Sequence, residues 1–233
     1  MCDKDHGVIM NTPKYITNHQ SYIILSNQEV INQSNAKHTH DTWVFSEDTE
    51  VVMLIDQYQD EVNIVINEDV KVNLSIIYRH FQSINHQLNV VIHKNAMLNL
   101  YHDYQTKRNS SLTIDKKYFI KENAQLRMLN QLIYHGNIEL NETVHLQEKD
   151  AYVDVEILNI GQKQDEHKVN QNINHQATHT KSQIHNWMLS LEQSKLTYFV
   201  NGSIAKGNEK SSCKQSNKGI ILNHKGEIKV VPT

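Results

Sequence analysis

The chain has 233 residues, with 23 basic and 26 acidic side chains, 15 His, 7 Gly, 2 Pro and 2 Cys. That length suits one domain with a sizeable core, and a formal charge of −3 excludes a broadly basic nucleic-acid binder. Cys2 and Cys213 lie too far apart in sequence for a disulfide scaffold or a Cys-rich zinc module. Scarce Gly and Pro stand beside 44 Asn and Gln, which argues against both a disordered linker and a hairpin-rich sandwich.

Residues 1–20 show no sustained period and are expected to fray or form a short helix, leaving residues 21–233 as one domain. The polar N-terminus has no apolar h-region, and the longest apolar run, Val51 to Ile55, is far short of a membrane span. A cytoplasmic location, with no membrane and no nucleic-acid partner, is the expectation. A β pattern begins at Val44, Val51, Met53 and Ile55.

From there one motif recurs: an aliphatic residue, a few polar ones, a small or aliphatic corner residue, then strict alternation. It runs through Ile66–Leu74, Ile92–Leu100, Ile120–Met128 and Leu146–Val155, and again through Leu191–Val200 and Leu222–Val230. The corner residues Val70, Ala96, Ala124, Ala151, Leu196 and Gly226 are 26, 28, 27, 45 and 30 residues apart. Period two after each corner means a strand with one buried face. Asp69, Asn95, Asn123 and Asp150 precede four of the corners, and Asx side chains tolerate left-handed dihedrals without Gly.

A second alternating stretch lies between corners, as in Leu88–Ile92 and Leu112–Ile114. Two strands and two bends per roughly 27 residues predict an all-β, parallel two-sheet solenoid of about six to eight rungs. An antiparallel jelly roll or barrel is the competing reading. It would want Asn-Gly or Asp-Gly turns about every 8–12 residues, whereas Asn-Gly occurs once, at Asn201-Gly202, and Asp-Gly never. The 45-residue interval is assigned a protruding polar loop over Gln162–Asn174 and a degraded rung near Ile173–Ile184.

The abundance of His raises metal binding. His38 and His40 are expected on one strand face, and His175, His179 and His185 cluster in sequence, but the close three- or four-ligand spacing of a zinc site is missing. In a stacked fold His175, His179 and Cys213 could converge from neighbouring coils. They are the candidate cofactor-binding residues, and no metal ligand set is assigned. Lys210 and Lys214 beside Cys213 would favour a thiolate; an inert side chain on a strand is the plainer reading. Glu47/Asp48 and Asp60/Glu61 lie in polar runs and read as solvated. No phosphate loop or hydrolase motif is present, so no catalytic residue is assigned and an enzyme is not expected.

The segment Asn174-His-Gln-Ala-Thr-His-Thr-Lys-Ser182 resembles the Asn-His-x-Ala-x-His-Thr-x-Ser segment of the SufB/SufD family, scaffold proteins of the SUF iron–sulfur cluster assembly system. Phe199–Ile204, Lys210–Leu222 and Gly226–Pro232 resemble that family's following segments in the same order, giving His175, His179, Gln215 and Asn217 as matched motif positions. The Ala-His-Thr character is closer to the SufD branch. The resemblance implies a right-handed parallel β-helix and a non-enzymatic scaffold role. It also implies no tightly bound cofactor, with a transient iron–sulfur cluster in the assembled complex. The implied partners are a SufB/SufD-type chain or a second copy, paired through the C-terminal rungs, and an ABC-type ATPase reached indirectly. Against the family pattern the chain is expected to be truncated at both ends. It lacks the later rung that bears a Cys (SufB) or His (SufD) near the cluster and the helices that dock the ATPase, so no cluster ligand carries over by position. A structural or interaction solenoid without cluster chemistry is the alternative.

Overall fold

The computed structural model describes residues 21–26, 30–56, 61–79, 83–105, 110–133 and 135–232; the expectation for residues 1–20 lies outside them. The strands in chain order are β1 (Tyr22–Ser26), β2 (Val30–Gln33), β3 (Lys37–Thr39), β4 (Thr42–Phe45), β5 (Thr49–Asp56) and β6 (Val62–Ile66). They continue as β7 (Lys71–Arg79), β8 (Ser83–Ile92), β9 (Met97–Gln105), β10 (Ser110–Ile120), β11 (Gln125–Ile133) and β12 (Gly136–Leu146). The last six are β13 (Tyr152–Gly161), β14 (Glu166–His175), β15 (Lys181–Ser190), β16 (Lys195–Ile204), β17 (Ser212–Ile221) and β18 (Glu227–Pro232).

These form two nine-stranded sheets, β17-β15-β13-β11-β9-β7-β5-β1-β2 and β18-β16-β14-β12-β10-β8-β6-β4-β3. From β4 onward successive strands alternate between the sheets and each pairs in parallel with the strand one coil away, which is a parallel β-solenoid of about seven turns. Among the described residues only β2 and β3 pair antiparallel with a neighbour, each at the N-terminal edge of its sheet. Three of these strands, β1 to β3, precede the point at which the sequence pattern becomes legible.

Alternation buries one face of the strands from β9 to β15, whereas β2, β3 and β17 are largely exposed, and the register stacks like on like. Ile66, Ile92, Ile120 and Leu146 are successive partners in one column, all fully buried. Val72, Leu98, Leu126 and Val153 form the matching column of the other sheet. Rows of branched side chains at the spacing of adjacent strands make one continuous core between the two sheets.

The Asx corners are as expected: Asp69, Asn95, Asn123 and Asp150 have φ of 62°, 58°, 55° and 61°. The same corner continues at His179 and Lys210, with φ of 62° and 60°, so the left-handed residue recurs at intervals of 26, 28, 27, 29 and 31. Leu196, the second residue of β16, and Gly226, just before β18, lie at the opposite corner, the one that joins β15 to β16 and β17 to β18. The 45-residue interval therefore joined two different corners. No loop protrudes at Gln162–Asn174 and no rung is degraded there, because β14 runs in register with β12 and β16 and only residues 162–165 turn. Polar outward positions and three polar inward ones, His167, Gln171 and His175, had diluted the pattern to Val169 and Ile173.

Amides also hold the coils together. Asn95 Nδ2 donates to Asp69 Oδ1 at 2.8 Å and Asn123 Nδ2 to Asn95 Oδ1 at 2.9 Å along the corner. Asn141 Nδ2 donates to Asp115 Oδ1 at 2.9 Å and Asn170 Nδ2 to Asn141 Oδ1 at 2.6 Å on the outer face of one sheet. Asn123→Val is expected to lower stability by about 1–3 kcal/mol, since a β-branched residue at φ 55° is strained. Asn123→Gly, which accepts that dihedral, should cost less; equal urea midpoints for the two variants would contradict this.

Candidate functional site

The apolar columns are interrupted at the centre of the solenoid. Lys116 on β10 and Glu142 on β12 are register partners, and both side chains are 0 % exposed. Lys116 Nζ lies 3.3 Å from Glu142 Oε1 and donates to Asn130 Oδ1 at 3.0 Å and to the Tyr104 hydroxyl. Asn130, on the facing sheet, donates through Nδ2 to both Glu142 oxygens, at 3.0 and 3.2 Å, and Gln171 Nε2 donates to Oε2 at 3.3 Å. The carboxylate thus has donors from both sheets and from both neighbouring coils, the condition under which a buried charge is tolerated.

Around this pair sit aromatic and imidazole rings. Tyr78 stacks on Tyr104 with centroids 5.0 Å apart, and His102 Nε2 is 3.1 Å from the Tyr118 hydroxyl. Burial pulls the Lys116 amine down to about 8, with Glu142 opposing that shift. Burial also holds His102 well below the usual imidazole range, helped by the nearby Lys116 charge. The phenols of Tyr78, Tyr104, Tyr118 and Tyr198 are pushed above their usual range, again mainly by burial. Chemically this is a fixed, enclosed set of proton donors and acceptors. Sequence reasoning passed over it, although the signal was present: Lys116, Asn130, Glu142 and Gln171 each fall on the inward phase of an otherwise apolar alternation.

A second polar region lies toward the C-terminal coils. The column Ile66–Ile92–Ile120–Leu146 ends at His175, which is 1 % exposed. Its Nδ1 is 2.8 Å from Thr180 Oγ1 and its Nε2 is 2.9 Å from Ser182 Oγ, so both ring nitrogens are engaged across the corner. Burial lowers its proton affinity, partly offset by hydrogen bonding at Thr180. His179 is the left-handed corner residue itself. Cys213 is the register partner of Ser182, half-buried against the core. Gly202 makes room for it, since a Cβ there would sit 2.7 Å from the thiol sulfur. The lone Asn-Gly pair is therefore inside β16 and not in a hairpin turn.

Gln215 and Asn217 take inward positions on β17 beneath Ile184 and Asn186, and Asn186 Nδ2 donates to Asn217 Oδ1 at 2.7 Å. The structure thus brings His175, Ser182 and Cys213 into adjacent coils. Among the described residues, however, no three His, Cys, Asp or Glu side chains are grouped to hold a metal. His38 and His40 do not share a strand face: His38 stacks on Trp43 at 4.0 Å, while His40 turns the β3–β4 hairpin with φ 50°. His185 is half-buried on β15. Asp48 Oδ1 accepts the Lys71 N–H at 2.7 Å and Glu47 accepts from Asn35 Nδ2 at 2.8 Å. Glu61 accepts from Asn89 Nδ2. Asp60 and Cys2 lie outside the described residues.

Fold and register define the class as a parallel β-solenoid with a stacked, internally polar core. A family model described as "SUF system FeS cluster assembly, SufBD core domain" matches residues 45–233. The chain belongs to this SufBD core family, and its role lies in SUF iron–sulfur cluster assembly. A search of curated proteins gave no match.

Proposed function

We propose that the chain is a SufD-like, non-enzymatic scaffold subunit of the SUF machinery, acting in the cytoplasm. The observation that carries this reading is the SufBD core match over residues 45–233, and the Asn174–Ser182 segment favours the SufD branch. The iron–sulfur cluster is cargo, present transiently in an assembled complex rather than held as a resident cofactor. The partner is a SufB/SufD-type chain or a second copy, joined through the C-terminal coils. The ABC-type ATPase is engaged through that partner, and neither nucleic acid nor membrane is involved.

Support for the contact comes from the last described coil, where β17 and β18 lie at the sheet edges and where Ile204 at the end of β16, Ile220 and Ile221 at the end of β17, and Leu222 just after it are 46–68 % exposed. Strand edges and aliphatic side chains in that state favour association. The engaged ring nitrogens of His175 favour a second reading, a solenoid that supports assembly without ligating the cluster. Anaerobic reconstitution with iron and sulfide, alone and with a SufB/SufD-type partner and the ATPase, tests the proposal. Cluster absorbance that depends on adding this chain is expected.

A further inference from the structure

The sheet that contains β9, β11, β13, β15 and β17 carries an apolar stripe on its outer face. One row of outward side chains reads Asp103, Gln131, Leu158, Trp187 and Lys218 on successive coils. The row beside it reads Ile133, Ile160, Leu189 and Ile220. Ile133, Trp187 and Ile220 are 40 %, 46 % and 59 % exposed, and Leu158, Ile160 and Leu189 are half-buried. These side chains point sideways from the coil axis, so what covers them is a layer laid on the sheet and not another coil.

Adjacent coils are about 4.8 Å apart, and residues two apart on one strand about 6.7 Å. From Ile133 to Ile220 the stripe is therefore about 14 Å long and two side chains wide. That is a few hundred Å², short of the roughly 800 Å² per partner that holds a stable pair of folded proteins face to face. An α-helix has the matching period. Its apolar stripe repeats about every 5.4 Å, so one turn meets one coil. It also satisfies its own backbone, which an extended segment lying across the rows would not.

Charge at the two ends of the stripe agrees with this. Asp103 closes one end, and Lys218, exposed and with Nζ 4.3 Å over the Trp187 ring, closes the other. Four coil spacings, about 19 Å, separate them, the length of a helix of roughly 13 residues. An acid at one end and a base at the other complement the positive N-terminus and negative C-terminus of a helix dipole.

We infer that this stripe is a docking site for an amphipathic α-helix of a partner protein, laid across the strands with its N-terminus toward Asp103 and its C-terminus toward Lys218. The inference stands apart from the assembly role and from the contact proposed for the C-terminal coils.

The probe is a capped, labelled Ala- and Gln-based peptide of about 14 residues with Leu at i, i+4, i+7 and i+11; the control has the same composition with Leu spread round the helix. Trp187 reports binding directly, because the other tryptophan, Trp43, is 1 % exposed. The patterned peptide is expected to shift the emission to shorter wavelength and to cut iodide quenching severalfold, with the control binding at least tenfold more weakly. By anisotropy of the labelled peptide, Ile133→Glu should weaken binding about tenfold, in line with the loss of one exposed aliphatic contact and a charge set in its place. Lys218→Glu should weaken it severalfold at low salt and little at about 0.5 M, as screening of exposed charges requires. Circular dichroism melts control for folding, and Ile220→Glu serves if Ile133→Glu unfolds. Equal binding of the two peptides, or no protection of Trp187 by either, would overturn the inference. So would a dimer of the protein alone in sedimentation velocity that Ile133→Glu abolishes, since the stripe would then take a second copy. No cluster enters these readouts, so failure here leaves the assembly role to stand or fall by reconstitution.

Discussion

Lys116→Met is expected to lower unfolding free energy by about 3–5 kcal/mol, the usual result of removing one member of a buried ion pair. The amine is fully enclosed, so its loss leaves the Glu142 carboxylate in the core with only neutral donors, Asn130 and Gln171. Asn130 Oδ1 and the Tyr104 hydroxyl lose their donor at the same time. The double variant Lys116→Met/Glu142→Leu removes both charges and is expected to recover much of that loss, because well-packed apolar pairs replace buried ion pairs at little cost. Urea midpoints of the two single variants and the double variant check this. A Lys116→Met variant within 1 kcal/mol of wild type, roughly the worth of an exposed pair, would mean that the pair is not enclosed as described.

The second large effect is on pH. Lys116 titrates near 8 in the fold, below its ordinary 10.5. Between those values the unfolded chain still holds a proton that the native state has released, so stability rises with pH across that window, by on the order of 3 kcal/mol. His102 is also depressed, so its contribution is present above its ordinary 6.5 and is lost as pH falls below it. Tyr78, Tyr104, Tyr118 and Tyr198 are raised above 10; their contribution is present below pH 10 and is lost above it. The melting temperature is therefore expected to climb from about pH 8 to a maximum near pH 10 and then fall. Lys116→Met/Glu142→Leu should flatten the rise above pH 8 and keep the fall above 10. A wild-type maximum at pH 6 to 7 would contradict the assignment.

Much of the fold could be read from residues. The Asx corners were visible because a left-handed dihedral without Gly favours Asn or Asp, and the structure shows φ near 60° at all four named positions. What misled was that both corners of a coil follow the same aliphatic–polar–alternating pattern. Leu196 and Gly226 were aligned with Val70 and Ala96 although they sit on the opposite edge. The coil containing β14 went unread for a different reason: three of its inward positions are polar, His167 between Ile138 and Leu196, Gln171 beside Glu142, and His175 beside Leu146.

The excess of Asn and Gln also has a structural account in part. Asn123, Asn95 and Asp69 bond along a corner, and Asn170, Asn141 and Asp115 along a sheet face, so an amide on one coil meets its counterpart on the next. The candidate site was less legible. His175 was singled out as a candidate cofactor-binding position, whereas its burial and its partners Thr180 and Ser182 follow from the corner geometry, which spacing alone does not give. The Lys116–Glu142 pair could have been found by asking which polar residues share phase with the core.

The most direct measurement of the assembly role is visible absorbance during anaerobic reconstitution with iron, sulfide, a SufB/SufD-type partner and the ABC-type ATPase. The expected result is thiolate–iron absorbance that rises several-fold when this chain is added to the other components, with little from the chain alone. Identical spectra with and without the chain would contradict a scaffold role in building the cluster.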